Sequence, residues 1–217
     1  MSSNFNLDFE RNQRLGFPET AFGANKSAES LLNIARALME KHEHALITRL
    51  QEEKFTELAR HFNQIEYDRA SGACLIGKIV DEPVKKSVAI LSGGTSDEFI
   101  VNEAYYTLRY LGIGATRFQD IGIAGLHRLL SIREELADYR VLIVVAGFEG
   151  ALPTVVGGLS PLPIIAVPAS IGYGVAKDGI TALNAMLSSC ANGIVVVNID
   201  NGYGAALAAY RILNNGQ

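Results

Sequence analysis

The stretch Arg140–Ala146 (RVLIVVA), followed at once by Gly147–Gly150 (GFEG), decides the fold class of this sequence. A short apolar run that is rich in β-branched residues and ends at glycine predicts a strand buried on both faces. Similar runs lie at Ser87–Ser92, Ala115–Gln119, Pro163–Val167 and Ile194–Ile199. Longer segments of helical periodicity separate them, at Asp97–Leu111, Ala124–Asp138, Glu149–Leu159, Asp178–Cys190 and Gly204–Leu213. This alternation predicts an α/β fold, a doubly wound parallel sheet in three layers, with ligands beyond the carboxyl ends of the strands.

The N-terminal part of the chain is more charged and predicts a smaller, mainly helical domain. Ser27 is placed to cap a helix that runs to His42, and Gln51–Phe62 shows a second helical pattern. Two apolar runs, His44–Leu50 and Ala73–Val80, are compatible with strands. Whether this part packs as an appendage or touches a substrate is left open.

Composition changes along the chain and indicates where the two parts meet. Only Gly16 and Gly23 precede residue 72 among the 21 glycines, and the last third of the chain carries few charges. Val80–Pro83 reads as a connector. We therefore predict a mixed, mainly helical domain at residues 1–82 and an α/β domain at residues 83–217.

The overall composition excludes several classes of protein. The 217 residues are 48% hydrophobic and 19% charged, which argues against disorder, and no apolar stretch is long enough to predict a membrane span. The net charge of −4 argues against a nucleic-acid groove, and the N-terminus lacks a signal-peptide pattern. Two cysteines and four scattered histidines form neither a disulfide framework nor a zinc motif. We expect a globular cytoplasmic protein with no nucleic-acid or membrane partner.

The segment Leu91–Glu98 (LSGGTSDE) is a glycine-rich loop that directly follows a predicted strand. Paired glycines allow close backbone approach to a ligand, and a helix N-terminus offers free N–H groups. The alternative is structural, because Thr95 and Glu98 fit a capping box that would only start the helix. A cap does not explain two consecutive glycines, so a ligand role is favoured. The loop matches neither a P-loop nor G-x-G-x-x-G.

A second loop places Glu149 alone in an apolar stretch after the strand that should be central. A buried unpaired carboxylate is costly, so we expect a partner or a raised pKa, and a role in acid–base chemistry. The structural alternative is a carboxylate near a helix N-terminus. Two further loops, Ser170–Gly174 and Asn198–Gly204, also join strand ends to helices and carry hydroxyl, amide or carboxylate groups.

Cys190 lies between a predicted helix and the last predicted strand, and its residue type alone favours a small buried side chain. A helix-to-strand loop sits at the amino end of parallel strands, opposite the usual ligand crevice. A reactive Cys190 therefore requires a site shared with a neighbouring subunit, or a loop that folds back. Cys74, in a possible strand, is predicted to be structural. His127 fits either a surface position or a ligand contact.

Several of these segments together resemble a known enzyme family: Asp8–Glu19 with Lys26, Gly94–Asp97, Asp120–Arg128, Gly147–Leu152, Gly172–Gly174 and Cys190–Gly204. The second part resembles the catalytic domain of aminoimidazole ribonucleotide carboxylases and mutases, which are flavodoxin-like homo-oligomers. From about Asp8 to the end, the chain is similar to their relatives, the pyridinium-3,5-biscarboxylic acid mononucleotide synthases of nickel-pincer cofactor biosynthesis.

The resemblance implies carboxylation of the pyridinium ring of nicotinate adenine dinucleotide and hydrolysis of its phosphoanhydride to release AMP. It implies CO2 or bicarbonate as co-substrate, Mg²⁺ with no assigned ligands, and a homo-oligomer with sites near subunit contacts. The implied catalytic residues are Cys190, Glu149, Ser96 and Asp97. The implied substrate-binding residues are Gly94, Thr95, Asp120, Gly122, Gly125, His127, Gly147, Ser170, Gly172, Tyr173, Gly174, Asn198, Asp200, Asn201 and Gly202.

Two alternatives remain, and one residue counts against the first. A purine-pathway carboxylase or mutase would carry a histidine just before Leu-Pro in its second glycine loop, where this chain has Ala151. A non-catalytic nucleotide-binding module would keep the loops without needing Cys190. On charge alone, Arg11, Arg14 and Lys26 are candidates for contacts with anionic groups of the substrate.

Overall fold

The structure, a computed structural model, describes residues 5–78 and 86–214. They form two compact units, one within Met1–Asp81 and one within Glu82–Gln217. The predicted boundary between residues 82 and 83 lies outside the described residues.

The first unit combines helices with a four-stranded mixed sheet. Its helices are α1 (Arg11–Leu15), α2 (Ala28–His42) and α3 (Glu52–Leu58), and its strands are β1 (Ala21–Phe22), β2 (His44–Thr48), β3 (Ile65–Asp68) and β4 (Ala73–Gly77). The strand order is β1-β2-β4-β3, with β1 parallel to β2 and the other pairs antiparallel. The strands suggested at His44–Leu50 and Ala73–Val80 are therefore present, whereas β1 and β3 were not anticipated.

Helix α2 forms for the reasons that its sequence indicates. The Ser27 hydroxyl accepts a hydrogen bond from the Ser30 N–H at 3.2 Å, which caps the helix as expected. Its apolar face is buried at residues spaced three, four and seven positions apart, namely Leu31, Ile34, Ala35 and Leu38. That face packs with β2 and β4 into the core of the first unit.

The second unit is a parallel five-stranded sheet covered by helices. Its strands are β5 (Lys86–Ser92), β6 (Gly114–Phe118), β7 (Val141–Ala146), β8 (Ile164–Pro168) and β9 (Ile194–Val196). Its helices are α4 (Glu98–Tyr110), α5 (Leu126–Ser131), α6 (Leu152–Leu159), α7 (Ile180–Leu187) and α8 (Gly202–Asn214). The order β6-β5-β7-β8-β9 and the parallel pairing confirm the predicted doubly wound sheet.

Both faces of this sheet are buried because successive side chains point to opposite sides. On one face, Val88, Ile143 and their neighbours pack with residues of α4 and α8. On the other face, Ala89, Leu142 and their neighbours pack with residues of α5, α6 and α7. The strand order reverses between β5 and β7, since the chain continues from β5 to β6 on one side and later returns to β7 on the other. Such a switch point leaves a crevice beyond the carboxyl ends of the two strands.

Two predicted helices begin later than their sequence patterns suggest. The expected helix at Glu149–Leu159 begins at Leu152, because Phe148 and Gly150 have φ angles of 51° and 64° that no right-handed helix allows. The expected helix at Asp178–Cys190 spans only α7, because Asp178 has a φ of 62° and so lies outside it.

The predicted helix at Ala124–Asp138 is interrupted. Helix α5 ends at Ser131, and residues Glu135–Asp138 form a separate 3₁₀ turn. At Ile132 and Arg133 the backbone bonds change to three-residue spacing, so the apolar periodicity persists without a continuous α-helix. Within residues 5–78 and 86–214, no helix has the length and apolar character needed to cross a membrane.

We expect two glycine substitutions to change stability in opposite directions. A Cβ atom on Gly202 would lie 2.4 Å from the Ile100 carbonyl oxygen, so Gly202→Ala forces α8 away from α4 and lowers the free energy of unfolding by about 1–3 kcal/mol. Gly158, near the end of α6, has no heavy atom within 4 Å of such a Cβ. Gly158→Ala should raise that free energy by about 0.5–1 kcal/mol through helix propensity. Urea denaturation measures both, and an unaltered Gly202→Ala variant would contradict the close packing.

Candidate active site

A cavity of about 320 Å³ lies where the loops after four parallel strands meet. The loops after β5 and β7, which are adjacent at the switch point, supply most of its wall, and those after β6 and β8 complete it. Its volume is near the lower end of the range of about 300–1,000 Å³ for small-molecule sites. Six of the predicted site residues line it: Gly94, Ser96, Asp97, Gly122, Gly147 and Glu149.

The glycines around this cavity have two different roles. Gly122 and Gly147 let neighbouring loops approach each other, because a Cβ atom on either would lie 2.5 Å from the carbonyl oxygen of Gly93 or Ile171, respectively. Gly94 differs, since nothing lies within 4 Å of its Cβ position and its φ of −144° suits any residue. The fold therefore does not require glycine at position 94, which supports close approach of a ligand there.

Asp97, rather than Thr95 with Glu98, completes the start of α4. Its Oδ2 accepts a hydrogen bond from the Gly94 N–H at 2.9 Å, while Thr95 and Glu98 are exposed. The capping box of Thr95 and Glu98, which was the structural alternative to a ligand role, is therefore not formed. Asp97 lies three positions after Gly94, so the aspartate closes the short 3₁₀ turn that precedes the helix.

The buried carboxyl group of the site is that of Asp97, which is only 3% exposed. Burial raises the pKa of Asp97 above its ordinary value of 3.8. Hydrogen bonds from the Gly94 and Gly93 N–H groups act in the opposite direction, and the nearby Asp200 raises this pKa further.

Glu149 lies on the cavity wall but is exposed, so the expectation of a buried glutamate is wrong. The positive φ angles of Phe148 and Gly150 keep residues 148–150 outside α6, and the Glu149 side chain remains in contact with solvent. An acid–base role for Glu149 stays a prediction that depends on its position at the cavity.

The predicted residues after β8 and β9 lie outside the cavity lining. Ser170 donates its N–H to Asp200 Oδ1 at 2.7 Å, and Asn201 Oδ1 accepts the Gly204 N–H at 2.7 Å at the start of α8. These bonds link the two loops and cap the helix. Gly202 is buried under α4, so its observed role is helix packing. The other predicted residues of these two loops that lie outside the lining are Gly172, Tyr173, Gly174 and Asn198. Thr95, in the loop after β5, also lies outside it.

Of the predicted residues in the segment after β6, some line the cavity and others do not. Asp120 forms an ion pair with Arg128, and Gly125 is buried against that arginine side chain. His127 is exposed on α5 and does not line the cavity. Of this segment, Gly122 lies at the cavity together with its apolar neighbours Ile123 and Ala124.

Cys190 is exposed in the loop between α7 and β9 and does not line the cavity in the single chain. Its neighbours hold the loop against α6, through a 2.7 Å hydrogen bond between the Ser189 and Thr154 hydroxyls and contact of Ala191 with Gly157. The parallel pairing of β8 and β9 places this loop before β9, at the amino side. A catalytic Cys190 therefore still requires a second copy of the chain.

Sequence reasoning did not single out several apolar residues of the cavity, including Phe148, Ile171 and Leu152. Apolar residues at strand ends resemble core residues in sequence. The only signal was their position within or beside the glycine loops. A second cavity of about 780 Å³ lies between α5 and α6 and contains none of the predicted residues.

The basic side chains of the N-terminal segment, Arg11, Arg14 and Lys26, each lie beside other residues of the first unit. Arg14 forms an ion pair with Asp8 at 2.5 Å, and the Arg11 guanidinium lies 5.4 Å from the centre of the Phe17 ring. Lys26 lines a separate cavity of about 340 Å³ in this unit.

The part of the chain that the structure describes contains no group of three or more His, Cys, Asp or Glu residues that could hold a metal ion. A metal cage built from protein ligands alone does not fit this part of the chain. Mg²⁺ commonly uses one or two carboxylates together with water and substrate phosphates. A magnesium site here would therefore depend on the substrate.

Comparison with known families covers both units. The first matches the LarB/PurE-like N-terminal domain over residues 3–78, and the second matches AIR carboxylase over residues 87–217. The chain belongs to the AIR carboxylase family. An uncharacterized protein of Methanocaldococcus jannaschii is 41% identical to it over 211 residues, which cover 94% of this chain and 81% of that protein.

A second relative and a solved structure each match part of the chain. The N5-carboxyaminoimidazole ribonucleotide mutase of the same organism is 35% identical over 133 residues, or 58% of this chain and 78% of the mutase. The crystal structure of PurE from Treponema denticola superimposes with a TM-score of 0.52 at 23% identity, over 61% of this chain and 82% of that chain. This likeness shows the shared flavodoxin-like fold.

The two cysteines should react very differently with alkylating reagents. Cys190 is exposed, whereas Cys74 is fully buried and burial raises its pKa to about 12. Because the thiolate is the reactive form, iodoacetamide should modify the native protein at Cys190 and reach Cys74 only after unfolding. Peptide mass spectrometry identifies the labelled residue, and Cys190→Ser serves as the control. Native labelling of Cys74 would contradict the buried position.

The raised pKa of Asp97 predicts a pH-dependent contribution to stability. The folded state holds this proton more tightly, so Asp97 makes the free energy of unfolding fall as pH rises from about 4 through the raised pKa. Asp97→Asn keeps an oxygen for the Gly94 N–H and cannot ionise. We expect the stability of the variant relative to wild type to increase from about pH 4 to about pH 7 in urea denaturation. A pH-independent difference would mean that Asp97 is not perturbed.

Proposed function

We propose that the protein carboxylates the pyridinium ring of nicotinate adenine dinucleotide and hydrolyses its phosphoanhydride. The products would be pyridinium-3,5-biscarboxylic acid mononucleotide, for nickel-pincer cofactor synthesis, and AMP. Membership of the AIR carboxylase family supports carboxylase chemistry in general. The specific substrate and products are proposed from the resemblance of the whole chain to the pyridinium-3,5-biscarboxylic acid mononucleotide synthases. A cytoplasmic location remains a prediction.

The observation that favours this substrate is the charge of the cavity. The residues that line it include Asp97, Glu149 and Phe148, and among the described residues no Lys, Arg or His joins them. A flat cationic ring suits such a wall. The anionic parts of the dinucleotide would instead face the glycine loops and the start of α4, where backbone N–H groups favour phosphates.

The proposed mechanism gives Cys190 and Glu149 complementary tasks. A pyridinium ring is electron-poor and does not attack CO2. Addition of the Cys190 thiolate to a ring carbon converts the ring into a neutral enamine, whose carbon then forms the new bond to CO2. Glu149 removes the proton from the carboxylated carbon, and loss of the thiolate restores the aromatic cation. The net change is the replacement of a ring proton by a carboxylate. Glu149 takes the proton, and the thiolate leaves with the electron pair that it brought.

One feature of this mechanism, the position of Cys190, requires more than one chain. Because Cys190 lies away from the cavity in the single chain, we propose a homo-oligomer in which it completes the cavity of a neighbouring copy. Ser96 and Asp97 would face the substrate from the loop after β5. Mg²⁺, if required, would assist the hydrolytic half-reaction by neutralising phosphate charge.

The purine-pathway reaction is the alternative, and two observations argue against it. Ala151 occupies the position before Leu152-Pro153 where that reaction needs a histidine. The mutase of Methanocaldococcus jannaschii matches only part of this chain, whereas the uncharacterized protein from the same organism matches nearly all of it.

A labelled-carbon assay tests the proposal. Incubation with nicotinate adenine dinucleotide, ¹³C-bicarbonate and Mg²⁺ should yield a ¹³C-labelled dicarboxylated mononucleotide and AMP, detected by mass spectrometry. Cys190→Ala should form no product because the ring is not activated, and Glu149→Gln should slow the reaction by about 10²–10⁴-fold. Cys74→Ala is the matched control and should retain activity.

Three outcomes would count against this proposal. Product formation by Cys190→Ala at the wild-type rate would eliminate the covalent mechanism. Carboxylation of aminoimidazole ribonucleotide instead would assign the protein to the purine pathway. Binding of the dinucleotide without any product would favour the non-catalytic module.

A further inference from the structure

Phe148 occupies an unusual position on the wall of the cavity. It lines the cavity and is 45% exposed. Its φ of 51° lies in the left-handed region, which is costly for a bulky residue. Its N–H donates to the Ile171 carbonyl oxygen at 2.9 Å, and this bond holds the backbone in place. The fold thus tolerates backbone strain at an aromatic residue that lines the cavity.

A second aromatic ring supports the first. Tyr173, from the loop after β8, lies against Phe148 with ring centroids 5.6 Å apart and planes at 88°. This edge-to-face arrangement is a favourable one for aromatic pairs. Tyr173 is itself 79% exposed, so the pair is not part of a buried core. The two rings therefore lie on the loops after β7 and β8, which can approach each other because Gly147 has no side chain.

The surroundings of Phe148 favour a positively charged partner. The next residue, Glu149, is an exposed carboxylate on the same wall, and Asp97 adds a second carboxyl group. An aromatic face attracts cations through its quadrupole, and carboxylates add to that attraction. A neutral ring of the same shape would gain only the dispersion contact.

We propose that Phe148, braced by Tyr173, stacks on the cationic pyridine ring of the substrate and selects it over neutral rings. This inference rests on the proposed function and names the residue that recognises the ring. The attraction applies to the aromatic cation and disappears when thiolate addition makes the ring neutral. Phe148 therefore contributes to substrate binding more than to the chemical step.

Kinetics of three variants test this role. Phe148→Leu keeps an apolar side chain and the same strained backbone but removes the aromatic face. We expect it to raise KM for the dinucleotide about tenfold without lowering kcat, because the lost attraction acts on the cationic ground state and not on the neutral enamine. Phe148→Tyr should restore KM, because it returns an aromatic face. Phe22→Leu, a change at an equally exposed phenylalanine of the first unit, is the matched control and should leave KM unaltered.

A binding measurement separates this inference from the proposed function. N-methylnicotinate carries the cationic ring, and 3-methylbenzoate is a neutral-ring carboxylate of similar shape. NMR titration should show that wild type prefers N-methylnicotinate and that Phe148→Leu loses most of the preference. This readout needs no turnover, and the melting temperature of each variant confirms that it is folded.

The two experiments distinguish a failure of the stacking role from a failure of the proposed function. If wild type forms product while Phe148→Leu keeps both KM and the ring preference, stacking is wrong and the proposed function stands. If wild type forms no product but Phe148→Leu still loses the preference, the cationic-ring site stands and the proposed function fails. Equal binding of the two probes by wild type would overturn the inference.

Discussion

The parallel pairing of β5 with β7 is the constraint on which the rest of the second unit depends. The chain leaves the two strands in opposite directions along the sheet, so no connecting helix covers the space beyond their carboxyl ends. The loops that follow them begin at Gly93 and Gly147 and must therefore lie beside each other. Every residue that lines the cavity follows from this pairing or from the strands on either side of it.

Close packing of these loops determines the shape of the site. Gly122 and Gly147 occupy positions where any side chain would meet a carbonyl oxygen of the neighbouring loop, whereas Gly94 opens into free space. The glycine excess of the second unit therefore has more than one cause. Some glycines let neighbouring loops pack closely, Gly202 brings two helices into contact, and at Gly94 packing within the fold imposes no need for glycine.

The electrostatics of the site separate two carboxyl groups that look alike in sequence. Asp97 closes the turn before α4 and is buried, so its pKa rises, whereas Glu149 stands on a loop that is open to solvent. The third catalytic candidate, Cys190, is exposed but remote from both in the single chain. Under the proposed mechanism, an assembly of copies would have a functional reason, because no chain alone would bring the three groups together.

The sequence by itself determined the parallel sheet, the helices that cover it and the glycine-rich loops at the strand ends, several of which line the cavity. Strand and helix periods, glycine punctuation and the cap at Ser27 are local properties, and local properties can be read from a single chain. It did not predict β3, whose four residues are all only partly buried, because a half-exposed strand lacks a strong apolar pattern. Only the tertiary structure decided that Asp97 is the buried acid and that Phe148 faces the cavity. Burial and backbone strain depend on neighbours that are distant in sequence, and no local pattern records them.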